Sequence, residues 1–156
     1  PENIPKFTSE EILKLQDKSL ADIAFEIAQK FLGNEIPAEK LREICNDAYD
    51  FVVPLHKLSS DNYVLELFHG PTLAFKDFAA RFMARCADYF LSKNSEKKTI
   101  LVATSGDTGG AIGNGFLGMN QINVVILYPK GGVSPMQEKQ LTTMGQNIST
   151  LEIDGN

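Results

Sequence analysis

Cysteine and histidine are scarce in this chain, with two of each among 156 residues. Cys45 and Cys86 are too few for a disulfide framework and form no Cys-x-x-Cys pair. Both fall on apolar helical faces, so free thiols in a reducing cytosol are expected. His56 and His69 have no metal-ligand spacing with either cysteine, and no metal site is expected. Positive charge is short as well. Fifteen basic residues against twenty acidic ones give a net charge of −5 and a pI near 5.0. A nucleic-acid partner would want a basic face, so none is expected. No apolar run approaches the ~20 residues needed to span a bilayer. No basic start followed by an apolar stretch suggests a secretory signal. These absences lead to the expectation of a cytoplasmic globular protein with neither a nucleic-acid nor a membrane partner.

What is present is ordinary in bulk, with 43% apolar and 22% charged residues. The chain is long enough for one compact domain with a core. Pro1 is no natural initiator, and Asp154-Gly155-Asn156 stops just after an apparent strand, so a longer protein is expected. The first fifty or so residues read as helical. Thr8 with Glu11 is a capping-box pattern, and Ser19 precedes a run with Leu20, Ile23, Ala24, Ile27, Ala28 and Phe31 on one side. Gly33 closes that run, and Pro37 opens a third helix with Leu41, Ile44, Cys45 and Ala48 inward. Strands and helices then alternate. Strands are expected at Tyr63–Phe68, Thr99–Ala103, Ile122–Tyr128 and Ile148–Ile153, with a strong helix start at Ser134-Pro135-Met136-Gln137 and an end near Gly145. That order argues for an α/β fold with a doubly wound, mainly parallel sheet (αβα) behind a helical N-terminal segment.

One lysine stands in an aromatic setting, in Phe68-His69-Gly70-Pro71-Thr72-Leu73-Ala74-Phe75-Lys76-Asp77-Phe78. Phe78, Phe82, Cys86 and Phe90 recur every four positions beyond it, the spacing of an apolar helix face. Lys76 is therefore expected at or just before a helix start. Desolvation and the positive end of the helix dipole would both disfavour its ammonium there, leaving an amine able to condense with a carbonyl. The alternative is a solvated surface charge with Asp77 as its ion-pair neighbour. Arg81 and Arg85, one turn apart, could bind an anion or only solvate the helix.

A second motif, Thr104-Ser105-Gly106-Asp107-Thr108-Gly109-Gly110, follows the Thr99–Ala103 strand. Open α/β sheets bind ligands at such turns, where backbone N–H groups, hydroxyls and the helix dipole can hold an anion. A plain capped turn would use the same residues. Gly106–Gly110 also comes within one substitution of the nucleophile string of trypsin-like proteases, but those are disulfide-bonded β-barrels. Gly113-Asn114-Gly115-Phe116-Leu117-Gly118 matches a dinucleotide fingerprint by letter, yet lies a helix length beyond the strand rather than in its turn.

The run from Leu65 to Phe78 resembles the cofactor-lysine segment of the threonine synthase family, pyridoxal-phosphate enzymes of the tryptophan-synthase-like fold type (fold type II). Thr104–Gly110 resembles the Ser-Gly-Asn-Thr-Gly-type loop that holds the amino-acid carboxylate in that fold type. Asp107 stands where many relatives acting on serine or cysteine precursors have asparagine, and an ionised aspartate can only accept a hydrogen bond there. Val125–Gly131, Ser134–Lys139 and Ala38-Glu39-Lys40-Leu41 extend the likeness. The resemblance implies a lyase of threonine biosynthesis that converts O-phospho-L-homoserine and water to L-threonine and phosphate with pyridoxal 5'-phosphate. It implies Lys76 as the catalytic lysine, Lys76, Phe75 and Asp107 at the cofactor, and Thr104, Ser105, Gly106, Asp107 and Thr108 at the substrate. It further implies residues 1–60 as an accessory helical segment and 61–156 as the first αβα domain of two. The cofactor's phosphate cradle and pyridine-nitrogen partner would lie beyond Asn156, so residues 1–156 alone are expected to be inactive. Another fold type II enzyme, such as a serine/threonine dehydratase or cysteine synthase, and a non-catalytic αβα anion-binding module remain the alternatives.

Overall fold

The computed structural model describes residues 4–93 and 96–155; Pro1 and Asn156 lie outside them. The chain divides into two compact units, one up to Val52 and one from Val53 onward. The division falls ahead of residue 60.

The first unit is helical. Helix α1 (Ser9–Leu13) carries the expected capping box, in which Thr8 Oγ1 accepts from the Glu11 N–H and the Thr8 N–H donates to Glu11 Oε2 at 2.7 Å. Helix α2 (Leu20–Leu32) is capped by Ser19, and α3 (Ala38–Ala48) follows Pro37. Leu41, Ile44, Cys45 and Ala48 are buried on α3 as expected. On α2 the buried residues are Phe25 and Ala28, while Ile27 and Phe31 are exposed. The buried stripe is rotated from the expected one, and Phe25 on it lies under the Arg42 guanidinium, 3.9 Å from its ring.

In the second unit, Tyr63–Phe68 does not form the strand expected of it. A shorter β2 (Tyr63–Leu65) pairs antiparallel with β1 (Leu55–Lys57), and neither strand joins the main sheet. Helix α4 (Asp77–Ser92) comes next, then β3 (Lys98–Ala103), α5 (Asp107–Phe116), β4 (Ile122–Pro129), α6 (Pro135–Thr142) and β5 (Ile148–Ile153). The last three strands form a parallel sheet in the order β3-β4-β5. The mixed α/β fold with a parallel sheet is therefore as the sequence indicated. Gly145, with φ of 66°, lies just beyond the Thr143 cap of α6.

Residues alternate across the sheet. Ile122, Val124, Ile126 and Tyr128 of β4 are buried with Ile148, Phe116 of α5, Leu141 of α6 and Ala84 of α4, and Ile100 and Val102 pack against them. Leu101 and Leu151, on the opposite face, are 67% and 53% exposed. Helix α4 meets this core with Ala80, Ala84, Ala87 and Leu91 rather than with the aromatic stripe; Met83 and Phe90 are exposed. The cause is the approach of α5. A Cβ at Gly115 would stand 3.0 Å from the Ala80 carbonyl oxygen, so only small residues fit between the two helices.

Candidate active site

Lys76 is the residue just ahead of α4, with helical backbone angles. The chain reaches it through a tight turn. The Leu73 N–H donates to the Gly70 carbonyl, and Leu73 is held at φ of 61°, a left-handed conformation unusual for leucine. Asp77 anchors this turn. Its carboxylate is fully buried and accepts from the Thr72 N–H at 2.9 Å and the Thr72 hydroxyl at 2.6 Å. The acidic neighbour next in sequence is thus spent on the loop, which leaves Lys76 to meet a different acid.

That acid is Asp107. Lys76 Nζ lies 4.0 Å from Asp107 Oδ2 and 4.4 Å from the centre of the Phe75 ring. The burial expected of this lysine is partial, since 32% of the side chain remains exposed and Phe75 itself is exposed. At half-exposed positions an ion pair contributes about 0–1 kcal/mol to stability. Its significance is therefore one of placement: it sets the amine of α4 beside the turn that enters α5.

The turn is built by Thr104 and Gly106. Thr104 Oγ1 accepts from the N–H groups of Gly106 and Gly109, both at 3.0 Å, which leaves its own proton to give. Gly106 adopts φ of 145°, which a side chain would resist, and a Cβ there would press on the Gln137 amide at 2.5 Å. As a glycine it offers α5 no side-chain cap. Of the first N–H groups of α5, that of Gly109 is taken by Thr104; Ser105 and Asp107 are exposed beside the turn, with Thr108 half-buried. Two clefts flank the turn. One, of about 340 Å³, is lined by Phe75, Lys76, Met83 and Thr108; the other, of about 280 Å³, by Thr104, Ser105, Leu127 and Ile153. The structure so brings Lys76, Phe75 and the five turn residues to one place.

Other residues singled out by sequence do not join it. Arg81 is buried, and Arg85 Nη1 donates to the carbonyls of Arg81 and Gly115 at 3.2 Å, tying α4 to α5. His56 and His69 both turn to Glu66, with Nε2–Oε distances of 3.5 and 2.6 Å. No group of three metal-ligating side chains occurs among the described residues. Neither Cys45 nor Cys86 is in a disulfide among the described residues, and burial pushes the Cys86 thiol up. Among the described residues no helix is long and apolar enough to cross a membrane. Gln137 was read from sequence only as a helix cap. Its side-chain N–H2 also donates to Asp107 Oδ1 at 2.9 Å.

A lysine at a helix start, set against a strand-to-helix turn at the carboxyl end of a parallel strand, defines an α/β protein with an amine at the place where open α/β sheets bind ligands. The comparisons narrow this class. The family model described as "Threonine synthase N terminus" matches residues 1–49. The threonine synthase of Buchnera aphidicola (subsp. Acyrthosiphon pisum) is 47% identical over 156 residues, 99% of this chain, and that of Escherichia coli is 45% identical over 155 residues. A crystal structure of pyridoxal-phosphate-bound threonine synthase from Brucella melitensis superposes on all of this chain with a TM-score of 0.93 at 44% identity. Threonine synthase from yeast does so with 0.87 at 36%. From end to end this chain is similar to threonine synthases in sequence and in fold. It spans about a third of their length, 36% of the two curated relatives and 35% of the two solved chains.

Proposed function

We propose that the protein carrying this chain is a cytoplasmic threonine synthase, converting O-phospho-L-homoserine and water to L-threonine and phosphate with pyridoxal 5'-phosphate. The observation that carries the reading is the meeting of Lys76 with the Thr104–Thr108 turn, 4.0 Å apart at Asp107. In this reading residues 1–60 are the accessory helical segment and 61–156 the first αβα domain.

The residues present fit the cofactor. A half-exposed primary amine is available for a covalent link, an aromatic ring lies beside it, and a glycine turn without a side-chain cap faces the same space. Lys76 would hold the group through Nζ, with Phe75 and Asp107 beside it. When bound, pyridoxal phosphate supplies an aldehyde that takes the substrate amine and a ring that accepts electron density from Cα. Lys76, freed as an amine, takes and returns protons at the substrate Cα and Cβ. Thr104, Ser105, Gly106, Asp107 and Thr108 hold the substrate carboxylate and fix the direction of the Cα–H bond. Phosphate leaves from Cγ, and water adds at Cβ.

Borohydride reduction of the full-length holoenzyme followed by peptide mapping tests this reading. The pyridoxyl label is expected on Lys76, and a label on any other lysine refutes the assignment. Lys76→Arg should abolish labelling, because a guanidinium is effectively never deprotonated.

A further inference from the structure

We propose that Gln137 is a positioning residue of the active site, holding Asp107 against Lys76 across the gap between α6 and α5. The proposal rests on the reading of Lys76 given above and extends it to a residue outside both motifs.

Gln137 occupies the third position of α6 and closes a capping box with Ser134. Its Oε1 accepts from the Ser134 hydroxyl at 3.0 Å and faces the Ser134 N–H at 3.4 Å. Its Nε2 donates to Asp107 Oδ1 at 2.9 Å, and the other oxygen of the same carboxylate, Oδ2, faces Lys76 Nζ. The amide has only one orientation that serves both neighbours. The Ser134 N–H needs an acceptor and the Asp107 carboxylate needs a donor. Gly106 lies directly beneath, where a Cβ would displace the Gln137 amide.

This explains a choice that capping alone leaves open. Glutamate serves as well as glutamine at this position of a capping box. A glutamate here would bring a second carboxylate against Asp107, and like charges at that range repel. Glutamine is the residue that caps α6 and also ties Asp107. Asp77, the acid next to Lys76 in sequence, is turned to Thr72.

The test reads the Lys76 amine directly, in cofactor-free full-length protein, by competitive trace acetylation quantified across pH. Gln137→Glu should keep the cap, lower the melting temperature through the repulsion of the two carboxylates, and move the midpoint of Lys76 reactivity upward by roughly half a pH unit or more, the scale of one added charge nearby. Gln137→Ala should also move it, whereas Ser134→Ala, which removes the cap and one of the two Ser134 bonds to Gln137 Oε1, should move it less. An unmoved midpoint in a folded Gln137→Glu protein overturns the proposal. If that variant does not fold, equal midpoints for Gln137→Ala and Ser134→Ala overturn it. Because no cofactor is added, a failed borohydride label on Lys76 would count against the threonine synthase reading and leave this measurement intact.

Discussion

Ser105 is the exposed hydroxyl of a turn in which that of Thr104 is already committed to backbone as an acceptor and that of Thr108 is half-buried. If the turn holds the substrate carboxylate, Ser105→Ala should lower kcat/KM for O-phospho-L-homoserine by the equivalent of ~1–3 kcal/mol, the scale of a hydrogen bond to a charged group. Cofactor affinity, followed by absorbance titration, should stay constant; a collapse there would mean that the turn serves a different ligand. In the helical unit, Glu11 accepts from Lys30 Nζ at 2.8 Å and from the Thr8 N–H. These bonds, Lys30 first, hold its carboxyl down to about 2 from an ordinary 4.5. The folded state therefore binds this proton less readily than the unfolded state does. The stabilisation is complete above pH 4.5 and is lost as pH falls through about 2. Glu11→Gln should flatten the acid dependence of helix loss across that window, as followed by circular dichroism.

At the scale of elements, α5 sets four glycines, Gly109, Gly110, Gly113 and Gly115, inside one helix. Each costs about 1 kcal/mol of helix propensity against alanine, so close packing has to justify them one by one. Gly115 is justified by the Ala80 backbone at 3.0 Å, and Gly110 is not, since a Cβ there meets only Gln140 Oε1 at 3.8 Å. Gly115→Val should thus destabilise the protein by at least ~2 kcal/mol, while Gly110→Ala should stabilise it by about 0.5–1 kcal/mol. Urea midpoints check both. The same contact explains what the sequence could and could not reveal. Caps and turns are local chemistry, so Thr8, Ser134-Pro135 and the residues around Gly106 were legible as letters. The face that α4 turns inward was not. Periodicity marks Phe78, Phe82 and Cys86, but the close approach of α5 selects Ala80 and Ala84. The Tyr63–Phe68 run is apolar enough for a central strand, yet its pairing with Leu55–Lys57 is a tertiary choice. Lys76 and the Thr104–Thr108 turn are legible as strings; their meeting through Asp107, and the hold of Gln137 on it, are tertiary. The only written clue to Gln137 was a glutamine where a cap accepts glutamate equally.

At the scale of the whole molecule, the chain holds Lys76 and the turn proposed for the substrate carboxylate, while the resemblance puts a phosphate cradle and a pyridine-nitrogen partner outside it. Residues 1–156 expressed alone, with pyridoxal phosphate and O-phospho-L-homoserine added, should release neither threonine nor phosphate above the free-cofactor background. Sustained turnover would show those missing contacts to be dispensable. The order of the sheet has a consequence of another kind. Strands β3, β4 and β5 lie side by side in the order in which they are made. No slot must be kept open for a later segment to enter, and each crossover returns the chain to the edge it has just built. A ribosome delivers about 5–20 residues per second, while a βα unit closes far faster than the next one appears. The sheet can therefore grow in step with translation, each nascent strand templated by its predecessor before the following helix has left the exit tunnel.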